Sequence, residues 1–154
     1  MSKAEERLAA LGLELPVAAA PVANYVGFTV SGSTVFISGQ LPMKDGKPLV
    51  TGRLGAGVSV EDGYAAGRQC GLNILAHLKV ACGGDLDRVA RVLRLGGFVN
   101  CTPEFHDAPK CVNGASDLMV AVFGDAGRHA RAAVGVASLP AGAAVEVDAI
   151  VELK

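Results

Sequence analysis

The sequence predicts an α+β domain, a mostly antiparallel sheet with two main helices on one face. Three observations predict it. Two runs with helical apolar spacing each end at glycine. A short hairpin pattern precedes them, and two alternating β-type runs close the chain. The order along the chain is β-β-α-β-α-β-β, which segregates helices to one side of a sheet. A length of 154 residues fits a single domain over 1–154. Residues 1–23 form an N-terminal helix and connector, and residues 24–154 form the core.

Ser2-Lys3-Ala4-Glu5 is a capping box, so a short helix opens the chain with Leu8 and Leu11 on one side and Gly12 at its end. Pro16 and Pro21 make the next stretch an extended connector. Tyr25–Val30 and Thr34–Ser38 read as strands around a Ser31-Gly32-Ser33 turn. Residues 43–57, with Asp45-Gly46, Pro48, Gly52, Gly55 and Gly57, read as a loop with a short strand near Leu49.

Ser59 is placed to cap the main helix, with Glu61 and Asp62 in its first turn. That helix is expected to reach Ala81 and to stop at Gly83-Gly84. Gly63, Gly67 and Gly71 fall on one stripe of it. Each glycine costs a helix about 1 kcal/mol relative to alanine, so the stripe predicts close packing. Arg88–Asn100 reads as a strand with a bulge at Gly96-Gly97. A second helix runs from Ala108 to Phe123, with Asp107 as cap, Pro109 in its first turn and Gly124 as stop.

The last two runs, Ala130–Val136 and Val145–Leu153, read as a strand pair. Arg131, Ala133, Gly135 and Ala137 share one face of the first. Small residues beside an arginine leave room for a ligand or a neighbouring backbone. Glu146 on the second run then supplies a carboxylate on what reads as the neighbouring strand.

The composition is 51% hydrophobic and 19% charged, with mean hydropathy +0.39. Soluble domains carry about 25% charged residues, so the shortfall favours a subunit that hides apolar surface in an oligomer. A net charge of −1 offers no basic surface, and nucleic acid is not an expected partner. No run of 18 uncharged apolar residues occurs, so no membrane span is expected. The charged N-terminus is unlike a signal peptide, and Cys70, Cys82, Cys101 and Cys111 lack a CxxC pair. A reduced, cytoplasmic protein with free thiols is expected.

Several constellations could carry chemistry. Cys101, His106 and Cys111 could supply three metal ligands, but no fourth ligand is near and the spacing fits no zinc pattern. Cys101 with His106 could pair a nucleophile with a base, though no orienting third residue is evident. His77 reads as a surface or interface residue and His129 as a turn residue. No phosphate-binding glycine motif is present. Arg131 and Glu146 remain. On an exposed face they make an ion pair worth under about 1 kcal/mol. In a cleft, Arg131 would grip a carboxylate through paired hydrogen bonds and Glu146 would hold a water and move its proton.

Arg131-Ala-Ala-Val-Gly-Val-Ala-Ser-Leu139-Pro140, then Val145-Glu146-Val147-Asp148-Ala149-Ile150, resembles the C-terminal signature of the RidA family, the YjgF-like or L-PSP reactive-intermediate deaminases. Ser38-Gly39-Gln40-Leu41-Pro42, Tyr25 and Val112-Asn113 match further family positions, and the likeness spans roughly Tyr25 to Leu153. The resemblance implies a chorismate-mutase-like sandwich whose subunits form a trimeric barrel, helices outside, with clefts between subunits. It implies that Arg131 binds the carboxylate of a 2-imino or enamine acid such as 2-aminoacrylate. Glu146 would position the hydrolytic water, and Tyr25, Gly39 and Asn113 would shape the cleft. A 2-keto acid and ammonia would leave, with neither cofactor nor metal. Ala133, Gly135 and Ser116 replace residues common in the family and mark a divergent branch. The alternatives are a binding or regulatory protein for small carboxylates such as keto or amino acids, and an endoribonuclease of the L-PSP type.

Overall fold

The structure, a computed structural model, describes residues 1–154. Its three helices are α1 (Lys3–Ala10), α2 (Val60–Ala81) and α3 (Ala108–Phe123). Its main strands are β1 (Phe28–Ser31), β2 (Thr34–Gln40), β3 (Val89–Asn100), β4 (Ala130–Val136) and β5 (Val145–Leu153), in the order β1-β2-β5-β3-β4. Every pairing is antiparallel except β3 with β4.

That exception separates the two closing strands. They are not neighbours, because β3 lies between them. The reason is the connection. Helix α3 is long enough to carry the chain from the end of β3 back to Arg94 at its middle, so β4 runs parallel to the second half of β3 at the sheet edge. The segment 137–144 then crosses back over β3. Two strand spacings are about 10 Å, well within its reach.

The glycine stripe of α2 packs as expected. A Cβ on Gly67 would lie 2.3 Å from the Cys111 carbonyl oxygen, and one on Gly114 of α3 would lie 2.0 Å from the Tyr64 carbonyl oxygen. The two helices therefore meet backbone to backbone, at a distance only glycine allows. Beneath them, Val35, Ile37, Leu95, Val99, Val145, Val147 and Val151 are buried. The Gly96-Gly97 pair forms no bulge. The ladder to β5 runs unbroken from Arg94 to Val99, and the irregularities fall earlier, between Val89 and Arg94. Gly97 instead makes room for the Val112 side chain of α3.

Ser2 and Glu5 cap α1 reciprocally, and its Ala4 and Leu8 are buried while Leu11 is exposed. Backbone N–H groups of Lys3 and Ala4 donate to the Asp87 carboxylate. Ser59 caps α2 through Asp62 N–H. Asp107 stands at the start of α3, but its carboxylate pairs with Lys110 rather than with the helix end. The expected loop of residues 43–57 holds more structure than glycine content alone conveys. Met43–Lys44 pairs with Lys47–Pro48 across Asp45-Gly46, both at positive φ, and Arg53–Leu54 pairs with Gly57–Val58. No helix is long and apolar enough to cross a membrane.

Candidate functional site

Arg131 lies on the helix-covered side of edge strand β4, in register with buried Leu95. Its Nη1 donates to Asn113 Oδ1 at 2.7 Å and to Ser116 Oγ at 3.1 Å, both on α3. Those two bonds use both Nη1 hydrogens. The Nε–H and the two Nη2 hydrogens have no partner in the chain, and no carboxylate pairs with this arginine. The guanidinium is thus fixed in direction, half-buried and without a counter-ion.

The room expected above Ala133 and Gly135 is largely filled. Ala133 packs on the core, and a Cβ on Gly135 would meet the Cys101 sulfur at 2.6 Å.

Glu146 alternates with buried Val145 and Val147, so it points to the other side of the sheet, where it stands opposite Phe98. The expected adjacency of Arg131 and Glu146 on neighbouring strands does not occur within one chain: they sit on opposite faces with β3 between their strands. Burial, then the neighbouring Asp148 charge, raises the Glu146 pKa from its ordinary value. A Cβ on Gly39 would lie 2.9 Å from Glu146 Oε1, so the glycine is what lets that carboxylate lie against β2. Ser38 accepts no role in this contact but ties down the approach: its N–H donates to Gly27 O and its hydroxyl to Val26 O, next to exposed Tyr25. β1 begins at Phe28, so Tyr25 and Val26 lie outside the strand expected to contain them.

The named residues therefore fall into two groups. Arg131 and Asn113 are joined in one. Glu146 and Gly39, on β5 and β2, meet in the other, with Tyr25 next to the Val26 that Ser38 of β2 holds.

Of the two histidines read as a surface or interface residue and as a turn residue, His77 is not on the surface of the chain, while His129 stands in the turn before β4. His77 is buried, in contact with the Gly27 backbone, and burial lowers its pKa. His129 accepts or donates at both ring nitrogens, to Ser116 Oγ at 2.9 Å and Gly127 O at 2.6 Å. The sequence signal for Ser116 was its departure from the family pattern. Nothing local marked His129, because their pairing depends on how α3 leads into β4.

Cys101 is buried and His106 exposed, and no bond joins them. Burial pushes the Cys111 thiol up to about 11. All four cysteines are free, and no trio of His, Cys, Asp or Glu is gathered in metal-ligating positions. A groove of about 870 Å³ lies elsewhere, between the 9–19 segment, the 43–46 hairpin and α2. Its buried amides, Gln69 and Asn73, are spent on the Leu41 and Met43 carbonyls, so it serves to hold that hairpin down.

A family model described as "YjgF/chorismate mutase-like, putative endoribonuclease" matches residues 5–153. Protein TCP17 of Trypanosoma cruzi is 54% identical over 144 residues, 93% of this chain and 89% of that protein. The crystal structure of Atu1372 from Agrobacterium tumefaciens, a protein of unknown function, matches with a TM-score of 0.93 at 52% identity, covering 99% of this chain and 93% of that one. The crystal structure of RidA from an Antarctic Psychrobacter matches with a TM-score of 0.57 at 26% identity, covering 88% and 94%.

Proposed function

The chain belongs to the YjgF/chorismate-mutase-like family that includes RidA, and we propose that it hydrolyses reactive 2-imino or enamine acids, such as 2-aminoacrylate, to 2-keto acids and ammonia. The observation that carries this reading is Arg131: a half-buried guanidinium, held by Asn113 and Ser116 through one nitrogen, with three N–H groups and no counter-ion. A desolvated cation of this kind is costly unless an anion completes it, and the free fork fits a carboxylate.

The second half-site supplies the base. Glu146 has a pKa shifted toward the working range of a general base. An enamine first tautomerises to its imine, taking a proton at the terminal carbon and losing one from nitrogen. A water held in this half-site adds to the imine carbon and gives one proton to Glu146, which passes it to the nitrogen to form the carbinolamine. Glu146 then takes the hydroxyl proton and passes it to the nitrogen, which leaves as ammonia while the carbonyl forms. The imine is already an activated electrophile, so this route calls on no cofactor or metal.

Because Arg131 and Glu146 lie on opposite faces of one sheet, a single subunit cannot bring them to one substrate. The reading therefore requires the half-site of one copy to meet the complementary half-site of another, as clefts in a homotrimer provide. The sheet face without helices exposes Phe36 and Val134 and is the surface on which copies would pack.

The test is keto-acid release from 2-aminoacrylate generated in situ. Wild type is expected to accelerate it, and Arg131→Ala to lower turnover about 100-fold while assembly persists, the loss of a charged hydrogen-bonded anchor. Turnover unchanged in Arg131→Ala would remove the role assigned to that residue. Saturable pyruvate binding without ammonia release would make the cleft a carboxylate receptor. RNA cleavage lost with Arg131 would place the protein with the endoribonucleases instead.

A further inference from the structure

Ser116 and His129 meet 13 residues apart in sequence, directly beside Arg131. His129 Nδ1 lies 2.6 Å from the Gly127 carbonyl oxygen. A carbonyl only accepts, so Nδ1 carries the proton. In the neutral ring Nε2 is then a bare acceptor, 2.9 Å from Ser116 Oγ, and the serine hydroxyl donates to it. Arg131 Nη1 donates to the same oxygen at 3.1 Å. The hydroxyl hydrogen is committed and one lone pair is taken. What half-exposed Ser116 still offers is a single lone pair beside the Arg131 guanidinium: an acceptor, and not a donor.

We propose that Ser116, oriented by His129, is a specificity-determining residue that recognises the α-nitrogen of an amino or imino acid and disfavours the corresponding 2-keto acid. A carboxylate on Arg131 brings the ligand's α-substituent next to the serine oxygen. An N–H there finds an acceptor. A keto oxygen there faces a lone pair and leaves both groups unpaired, which costs on the order of tenfold or more in affinity. The device holds the nitrogen-bearing substrate and lets the keto product go. Asn113 cannot discriminate in this way, because beside its Oδ1, which accepts from Arg131, it carries an Nδ2 amide that can donate to a keto oxygen. The inference rests on the proposed reading of Arg131 as carboxylate anchor.

The test uses two unreactive probes of one skeleton, L-alanine and pyruvate, titrated by NMR or calorimetry into the intact protein. Wild type is expected to bind alanine about tenfold more tightly than pyruvate. Ser116→Ala is expected to erase the preference and Ser116→Thr to keep it. His129→Phe frees the hydroxyl to donate outward and is expected to shift the ratio toward pyruvate. A merely structural role for either residue would move both affinities together and leave the ratio alone. A wild-type ratio near one, or a ratio indifferent to Ser116 and His129 while Arg131→Ala weakens both probes, overturns this inference and spares the anchor. Affinities unchanged in Arg131→Ala overturn the anchor reading, and so does failure of wild type to bind either probe; the inference falls with it.

Discussion

The two faces of the sheet are built on opposite terms. On the helix side, Val145, Val147, Ala149 and Val151 of β5 are buried, with β2 and β3 contributing Val35, Ile37, Leu95 and Val99. Helices α2 and α3 close over them, themselves joined backbone to backbone at Gly67 and Gly114. On the other side, the residues between, Glu146, Asp148, Ile150 and Glu152, are only half-buried. Phe36 is 44% exposed and Val134 48%, and Arg94 and Asp148 make a loose ion pair at 3.8 Å. One face is finished within the chain. The other mixes apolar and charged groups in the manner of a surface that meets another copy. Glu146 belongs to the open face and Arg131 to the rim of the closed one, so one chain keeps the two side chains apart.

The contrast can be broken most severely on the helix side. Gly114→Ala puts a Cβ 2.0 Å from the Tyr64 carbonyl oxygen and 2.7 Å from the Arg68 nitrogen, both backbone atoms that cannot step aside. The gain in helix propensity, about 1 kcal/mol, is outweighed. A net loss of about 3 kcal/mol is expected, read as a lower urea midpoint. Unchanged stability would mean the helices are not in backbone contact.

If copies pack on the open face as proposed, wild type is expected to scatter light as an oligomer and Phe36→Asp as a monomer with preserved circular dichroism. Retained assembly would show that copies pack elsewhere.

The smallest effect sharpens the comparison at Glu146. Its folded pKa is raised by burial and by Asp148. Its contribution to stability is therefore complete below the unfolded carboxylate pKa and is lost as pH rises through the folded value. Glu146→Gln is expected to melt a few degrees above wild type at neutral pH, with the two converging under acid. A gap that widens on acidification would reverse the sign assigned here.

Much of this molecule was legible in its residues. Local chemistry placed the Ser2–Glu5 box, the Ser59 cap, the glycine stops and the element order, because caps, turns and periodicity act within a few neighbours. Alternation placed Arg131 and Glu146 on two strands, as the structure has them, and the glycine stripe announced a close helix contact. The tertiary structure alone decided what those elements sit beside. The parallel crossover through α3 put β3 between β4 and β5, so a carboxylate and a cation expected side by side face opposite ways. Val112 explained a glycine pair read as a bulge, and Cys101 filled space read as a pocket. Ser116 and His129 found each other across the turn from α3 to β4. Sequence pattern reports each segment's own preferences for fold and face. Which segments lie next to one another is settled by packing among distant parts of the chain, and that is where the site's geometry was fixed.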